Sequence, residues 1–339
     1  VPSTTDHQPK VAIVVLNRNG LQDTRECLRS LDRLDYPDFE VILVDNASTD
    51  GSVANCRQEF PAVRVVESNL NLGFAGGNNL GIQRALSGRA SYVLLLNNDT
   101  IVDPALLTQL VTIGESDPEI GILGPKIFYA SDPRRIWYAG GEVIRRFGIC
   151  RHAGLKRLDG EKFSRISDTG FVTGCTMMIK SSVFRKVGVL DPKFFMYWED
   201  ADFCMRARAA QFRCVFVPAA HVWHKVSRSA GVDSPFTIFL STRNHLTWIS
   251  RYVPYPYRGL ALGVALARKL MRWPALAIRD RASAAAVFEG ILAFFRRDFG
   301  PPPGTRFAPP GQQSKQALLP DHSACCAAPP GLPPAVPLQ

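Results

Sequence analysis

The eight cysteines of this 339-residue chain, Cys27, Cys56, Cys150, Cys175, Cys204, Cys214, Cys325 and Cys326, include no C-x-x-C pair and no paired framework. Zinc ribbons and disulfide scaffolds are thereby excluded, and scattered free thiols fit a reducing cytosol. Nowhere does the chain run uninterrupted apolar for the roughly 18 residues that a membrane-spanning helix needs. The opening segment, Val1 to Lys10, is polar and lacks the apolar stretch of a secretion signal, so a cytoplasmic location is expected. Two phosphate-binding loops are missing as well. No Gly-Lys-Ser/Thr occurs, and the turn after the first apolar run reads Asn17-Arg18-Asn19-Gly20 rather than G-x-G-x-x-G. A phosphate ligand therefore requires something other than a glycine-rich loop, for which a metal ion is the natural substitute.

What is present is a globular composition. Hydrophobic residues make up 46% of the chain, enough for a sizeable core. That core is expected to stop near Gly300, because Pro301 to Gln339 holds 11 of the 25 prolines and no aliphatic periodicity, the composition of a disordered tail. Val1 to Lys10 reads as a flexible N-terminus. The net charge of +10 is unevenly placed: from Arg243 to Gly300 there are ten Arg or Lys against three acids, interleaved with Trp248, Tyr252, Tyr255, Tyr257, Trp273, Phe294 and Phe295. Basic residues among interfacial aromatics suit the surface of an anionic membrane. A solvated helical face and a nucleic-acid surface are the alternatives; the membrane is the reading adopted, with no nucleic-acid partner expected.

Residues 11–100 alternate apolar runs with helical patterns, which predicts βαβ units around a mostly parallel sheet flanked by helices. Strands are expected at Val11 to Leu16, Phe39 to Val44, Val63 to Glu67 and Tyr92 to Leu96. Helices are expected over Leu21 to Leu34, where Cys27, Leu28, Leu31 and Leu34 recur at helical spacing, and over Gly76 to Leu86. Asp103-Pro104 reads as the N-cap and first position of a further helix. From Ile127 to Thr169 the pattern predicts loops and short strands. Val172 to Ile179 reads as a strand entering a helix capped by Ser181-Ser182.

Open α/β sheets place ligands at the carboxyl ends of their strands. The apolar run Tyr92 to Leu96 stops at Asn97-Asn98-Asp99, and a carboxylate flanked by two amides suits a divalent cation carrying phosphate oxygens. An Asx-rich turn with Asp99 as its cap is the alternative. A second cluster, Trp198-Glu199-Asp200-Ala201-Asp202, opens a helix. Glu199, Asp202 and Arg206 share one face, where capping and an ion pair with Arg206 account for the two acids. Asp200 points elsewhere and has Cys204, not a cation, four residues on. In that first turn the helix dipole keeps a carboxylate ionised, as a general base must be. Trp198 beside it offers a platform for a sugar or an acceptor. His221 and His224 bracket Val222-Trp223 at a strand end, either as structural residues or as ligands.

In order along the chain stand Asn17, Val44-Asp45-Asn46-Ala47-Ser48-Thr49-Asp50-Gly51-Ser52, Asn71-Leu72-Gly73-Phe74-Ala75-Gly76-Gly77-Asn78-Asn79, Leu95-Leu96-Asn97-Asn98-Asp99, Trp198-Glu199-Asp200-Ala201-Asp202 and Trp223-His224. Together these motifs resemble the family 2 glycosyltransferases of the GT-A fold, in their rhamnosyltransferase-like branch. The resemblance implies an α/β catalytic domain over 11–230, with a nucleotide-binding half at 11–100 and an acceptor half at 101–230, and a basic helical extension over 231–300. It implies an inverting, metal-dependent transfer of a sugar, L-rhamnose from dTDP-rhamnose, to a lipid-linked or polysaccharide acceptor in cell-envelope glycan synthesis at the inner face of the cell membrane. A UDP-hexose or UDP-galactofuranose is the alternative donor.

Residue by residue, the resemblance implies that Asp45 hydrogen-bonds the base, that Asn17, Asn46 and Asn79 line the nucleotide, and that Asn97 and Asn98 approach ribose and diphosphate. Asp99 would coordinate Mg2+ or Mn2+ with His224 as second ligand, and Asp200 would be the base. Gly174 would let backbone approach the donor or acceptor, Trp198 and Glu199 would serve the acceptor or sugar, and Arg243-Asn244 an acceptor phosphate. One departure stands out: the usual Asp-x-Asp is here Asn97-Asn98-Asp99, so metal binding rests on one carboxylate fewer. A nucleotide-binding protein without turnover is the competing class. The presence together of Asp45, Asp99, Asp200 and His224 argues against it, because a binding module needs no base.

Overall fold

The computed structural model describes residues 8–226 and 234–302. The tail expected from Pro301 lies outside these residues but for its first two, as does the N-terminus up to His7. The chain divides into two compact units. The first takes in the chain up to Val143 with Cys150–Asp191 and Glu199–Val226, and the second takes in Ile144–Ile149, Pro192–Trp198 and the described residues after 233.

In the first unit, strand β1 (Val11–Asn17) is central, and its opening five residues are wholly buried, as an unbroken run of small and β-branched side chains requires. Helix α1 (Leu21–Leu31), strand β2 (Phe39–Asn46), helix α2 (Ser52–Glu59), strand β3 (Arg64–Ser68), helix α3 (Gly73–Ser87) and strand β4 (Tyr92–Asn97) follow. The four strands lie parallel in the order β3-β2-β1-β4. On α1 the stripe legible in the sequence, Cys27, Leu28 and Leu31, is buried to 1% exposure or less, though the helix ends at Leu31 and not Leu34. Each such leucine contributes about 1.5–3 kcal/mol. Helix α3 lies close on the sheet because Gly77 and Gly81, four residues apart, face it. A Cβ on Gly77 would stand 2.5 Å from Leu16 Cδ1, and one on Gly81 would collide with Val14.

Beyond β4 come β5 (Thr100–Val102), α4 (Leu106–Glu115), β6 (Ile120–Tyr129), β7 (Asp132–Tyr138), β8 (Gly141–Ile144), β9 (Ile149–His152), β10 (Ser167–Asp168), β11 (Thr176–Lys180), α5 (Ser181–Val187), α6 (Glu199–Ala209) and β12 (Arg213–His224). Strand β11 inserts antiparallel between β4 and β6, and β12 runs parallel to β6, so the large sheet is ordered β10-β12-β6-β11-β4-β1-β2-β3. Three local expectations are corrected. Asp103 does not cap α4; its Oδ1 accepts the Ala105 N–H at 2.9 Å, forming a turn one step before the helix. Ser181 does not cap α5 but donates its hydroxyl to the Ala90 carbonyl, tying the helix to the sheet. The strand read from Val172 begins only at Thr176, because Thr176 N–H bonds back to the Thr173 carbonyl at 3.3 Å and closes a turn.

The second unit holds helices α7 (Pro235–Tyr252), α8 (Tyr257–Arg279) and α9 (Arg281–Arg296). Ser234 caps α7, its hydroxyl accepting the Thr237 N–H at 3.2 Å, with Pro235 in the first turn. Asp280 caps α9 by accepting the Ala282 and Ser283 N–H groups at 3.0 and 3.1 Å. Gly290 lets α9 approach α7, since a Cβ there would stand 2.7 Å from the Phe239 carbonyl oxygen. No helix among the described residues is long and apolar enough to cross a membrane. The six described cysteines are free thiols.

Candidate active site

Parallel register sets Asn17 level with Asp45, and Leu16 level with Asn97, so three expected residues end their strands along one edge of the sheet. Asn17 is the hub. Its Nδ2 donates to Asp45 Oδ1 (3.0 Å), Ser48 Oγ (3.1 Å) and Ser52 Oγ (2.8 Å). Its Oδ1 accepts from the Gly20 N–H (3.2 Å), the Thr24 hydroxyl (2.9 Å) and Asn98 Nδ2 (3.3 Å). Asp45, only 3% exposed, also accepts the Ser48 N–H at 2.9 Å and retains further lone pairs.

Two other amides are spent on backbone. Asn46 donates to Asn71 Oδ1 (3.1 Å) and the Gly73 carbonyl (3.0 Å) and accepts the Leu72 N–H (2.8 Å), which fastens the entry to α3. Asn79 exchanges both its amide bonds with the Leu190 backbone, at 2.9 and 3.1 Å. The structure therefore gives Asn17, Asn46 and Asn79 bracing roles where nucleotide contacts were expected, because buried amides must find partners and the backbone supplies them. Asn97 differs. It is half-buried at the end of β4, and its side chain makes no hydrogen bond within the described residues.

Asp99 and His224 meet through the antiparallel pairing of β5 with the end of β12, which sets His224 opposite Thr100. His224 Nε2 lies 3.1 Å from Asp99 Oδ1. Burial works against the imidazolium, but Cys175 beside the ring and the Asp99 carboxylate outweigh it, raising His224 to about 10. The ring also packs edge-on to Trp137 at 4.5 Å, and its Nδ1 is buried without a hydrogen-bond partner. His221, three residues earlier on the same strand, falls on the other side, against Phe128 and Trp223, so only one of the two histidines joins Asp99. A register shift in β12 after Val217, where Pro218 can donate no ladder bond, sets this register.

The pair fits a divalent cation. Adjacent ligands of an octahedral ion bound at about 2.1 Å lie about 3 Å apart, the separation of these two atoms. No group of three or more His, Cys, Asp or Glu among the described residues is arranged to hold a metal, so any further ligands would come from a substrate's phosphates and from water.

Asp200 stands in the first turn of α6, half-buried. One carboxylate oxygen accepts the Gly174 N–H at 2.9 Å and the other the Ala201 N–H at 2.7 Å. Burial raises its pKa against these backbone bonds, which makes it the stronger base. Glu199 beside it is 5% exposed, with Oε2 unpartnered; burial first and then the charges of Asp200 and Asp202 push it well above the usual range. Glu199 is thus buried, away from the sugar or acceptor contact expected of it. Asp202 pairs with Arg206 at 2.9 Å, as its spacing predicts. Gly174 lies against the Phe74 ring, where a Cβ would press at 3.0 Å, and next to Asp200. The neighbouring Cys175 carbonyl accepts the Asn97 N–H at 2.9 Å. Gly174-Cys175 therefore joins the Asp200 carboxylate to Asn97 through backbone bonds, and the Cys175 side chain lies beside His224.

In the second unit Trp198 stacks on His245, with centroids 4.5 Å apart and planes at 13°. Arg243 and Asn244, each 1% exposed, do not present themselves to an acceptor. Asn244 Nδ2 donates to the carbonyls of Phe194 (2.8 Å), Met196 (2.9 Å) and Tyr197 (2.9 Å). Arg243 donates to the carbonyls of Phe194 (3.2 Å) and Gly300 (2.8 Å) and to Asn244 Oδ1 (2.9 Å). The segment they brace holds Phe195, Tyr197 and Trp198 at φ of 63°, 73° and 75°, a left-handed conformation costly for bulky side chains. Replacing Asn244 by Ala strands buried carbonyls, so the urea midpoint should fall by the equivalent of about 2–4 kcal/mol.

Residues the sequence did not flag complete the first unit's site. Trp137 packs edge-on between His224 and His152. Lys225 Nζ bonds Asp23 and Glu26 of α1, while its N–H donates to the Asp99 carbonyl at 3.0 Å. Alternation of apolar and aromatic residues around Ile136-Trp137-Tyr138 is the signal that marks the first.

Compared with known proteins, residues 10–188 match the model of glycosyl transferase family 2. A Haloferax volcanii protein named low-salt glycan biosynthesis hexosyltransferase Agl10 is 27% identical over 241 residues, 69% of this chain and 73% of its own. The N-acetylglucosaminyl-diphospho-decaprenol L-rhamnosyltransferase of Mycobacterium tuberculosis is 28% identical over 252 residues, 68% of this chain and 79% of its own. The rhamnosyltransferase WbbL of Escherichia coli is 24% identical over 63% of this chain and 83% of its own. Among solved structures, a mannosyltransferase of Pyrobaculum calidifontis in complex with GDP-Man and Mn2+ aligns over 86% of this chain and 89% of its own, with a TM-score of 0.56 at 17% identity. S. aureus TarS aligns over 85% and 82%, with a TM-score of 0.54 at 15% identity. The fold is GT-A, and with the family model matching over half its length, the chain belongs to glycosyl transferase family 2.

Proposed function

We propose that this glycosyltransferase moves L-rhamnose from dTDP-rhamnose onto a lipid-linked or polysaccharide acceptor, by a single displacement that inverts the anomeric carbon. The observation that carries the reading is the Gly174-Cys175 bridge, with Asp200 held at one end, Asn97 bonded at the other, and the Cys175 side chain beside the His224 that meets Asp99. Glycosyl transfer needs two functions at once, removal of the acceptor hydroxyl proton and stabilisation of the departing diphosphate. Asp200 takes that proton as the acceptor oxygen bonds to the anomeric carbon and the bond to the diphosphate breaks. Asp99 and His224 would hold Mg2+ or Mn2+, which when bound neutralises charge on the diphosphate. Asp45 receives the base, and the Asn97 amide serves ribose or phosphate.

The names of the M. tuberculosis and E. coli relatives support the rhamnose donor, and the first of them supports a lipid-linked acceptor. A donor screen with purified protein tests the reading. Nucleotide release is expected from dTDP-rhamnose, not from UDP-glucose or UDP-galactofuranose, and EDTA should abolish it. Release from a UDP-sugar instead transfers the assignment to that donor, and release that persists in EDTA removes the metal from it.

Peripheral contact with an anionic membrane belongs to the same reading. Helix α8 carries no Asp or Glu, and Leu260, Val264, Met271 and Ile278 recur on one face at 63%, 45%, 73% and 89% exposure. Trp273, on the other side of α8, meets Phe288 of α9 at 5.6 Å. Arg268 and Arg272 lie along one edge of the stripe. An apolar stripe edged by arginine is the pattern of an interfacial helix. Met271→Asp should weaken flotation with anionic liposomes about tenfold; unchanged flotation would leave the stripe without a lipid role.

A further inference from the structure

Two half-buried side chains of the first unit, Trp137 and His152, each hold a polar atom that the fold does not use. The Trp137 ring meets two imidazoles edge-on, with centroids 4.5 Å from His224 and 4.6 Å from His152. His152 Nδ1 lies 3.2 Å from the Trp137 carbonyl. A carbonyl can only accept, so Nδ1 carries the proton. Burial lowers His152 to about 4, against that carbonyl and helped by His224, so the ring is neutral and its Nε2 presents a lone pair. Tyr138 and Phe171 also pack on this ring, with centroids at 5.2 and 5.8 Å. Among the described residues, neither His152 Nε2 nor the Trp137 indole N–H makes a hydrogen bond.

An indole N–H is a donor and the Nε2 of this imidazole an acceptor, so the two together match hydroxyl groups, which accept and donate in turn. Their place in the fold says which hydroxyls these are. Trp137 packs on His224, the residue that meets Asp99. Cys150, two residues before His152 on the same face of β9, has its thiol pushed up by burial and then by the Asp200 charge. The pair therefore stands along the path from Asp99–His224 to Asp200. In an inverting displacement the transferred sugar occupies that path, because its anomeric carbon lies between the leaving group and the attacking oxygen. We propose that Trp137 and His152 are specificity-determining residues for the transferred sugar, the indole N–H donating to one of its oxygens and His152 Nε2 accepting from a hydroxyl. This deepens the proposed function and rests on it for the positions of diphosphate and base. A site built this way rejects a sugar that lacks the matched hydroxyl, because its own polar atoms are then left unpaired.

Donor binding to the full chain, measured calorimetrically with Mn2+ and no acceptor, tests the pair without depending on turnover. The probes are dTDP-rhamnose and UDP-glucose, each set against its bare nucleotide, dTDP or UDP. Trp137→Phe keeps an aromatic ring against His224, and His152→Asn keeps a donor at the Nδ1 position for the Trp137 carbonyl. Each should weaken the nucleotide sugar about tenfold, the worth of one hydrogen bond, and leave the bare nucleotide unchanged. His152→Gln, which keeps an acceptor at the Nε2 position, should restore most of the affinity. Restoration by Asn and not by Gln would make the ring a brace for the Trp137 backbone and overturn the proposal. Unchanged affinity in both Trp137→Phe and His152→Asn, or an equal loss of the bare nucleotide, overturns it too. Asp99→Ala is the contrasting control, expected to weaken nucleotide sugar and bare nucleotide together. Preference for UDP-glucose would remove the rhamnose donor alone, since the variants are then judged on UDP-glucose by the same comparison. With no acceptor present, a wrong assignment of the base leaves the result unchanged.

Discussion

Asp200→Asn is expected to lower kcat about 10³-fold, the usual worth of a general base, while donor affinity is unchanged. The substitution preserves shape, and an amide oxygen can still accept one of the two backbone N–H groups that hold Asp200, from Gly174 at 2.9 Å or Ala201 at 2.7 Å. What it removes is proton acceptance. The pH profile provides a second readout with a definite sign. A protonated carboxyl cannot take the acceptor's proton, and burial raises the Asp200 pKa, so activity should fall on acidification at a pH above the ordinary Asp range of about 3.9. Stopped turnover with intact nucleotide binding is the outcome that supports the assignment. Near-normal kcat in Asp200→Asn would show that the proton leaves by another group, and the constellation around Gly174 would then be structural.

The parts of the fold that were legible in the sequence are those governed by local pattern. Strands β1 and β4 are buried on both faces and read as apolar runs, and the Cys27, Leu28 and Leu31 stripe of α1 needs only its spacing to be seen. At the candidate site, the placement of charged residues was legible where one follows a strand or opens a helix, as Asp99 and Asp200 do. The amides were not, because an asparagine that braces a backbone carbonyl looks the same in sequence as one that faces a nucleotide. Asn79 and Asn244 illustrate this, each bonded to backbone 111 and 47–50 residues away. Local pattern also misled at Val172 to Cys175, which is β-rich in composition yet forms a turn. Tertiary bonds from the Gly174 N–H to Asp200 and from the Asn97 N–H to the Cys175 carbonyl decide that conformation. Arg243 was expected at an acceptor phosphate; here its guanidinium is buried and bonds backbone carbonyls instead.

Asp99→Ala should be the most damaging change at the strand end, lowering kcat on the order of a hundredfold or more and raising the metal concentration that half-saturates activity. The physical reason lies in how few charges the site has. Asn97 and Asn98 replace the carboxylate that a second acid would supply, so under the proposed function Asp99 would be the one negative ligand of its motif, with His224 Nε2, at 3.1 Å, as its companion. Removing Asp99 would delete one of the two proposed protein ligands and take from His224 its 3.1 Å partner. Asn97→Asp provides the opposing test: its side chain is half-buried, and none of its hydrogen bonds within the described residues would be lost, so a carboxylate there adds charge without breaking structure. Half-saturation by Mn2+ should then occur at lower concentration. Thermal melting separates these effects from misfolding. Asn97→Asp that tightens metal while Asp99→Ala loosens it would place the cation at this strand end, whereas Asp99→Ala that lowers kcat with half-saturation unchanged would make the Asp99–His224 pair a structural ion pair and move the search for metal ligands elsewhere.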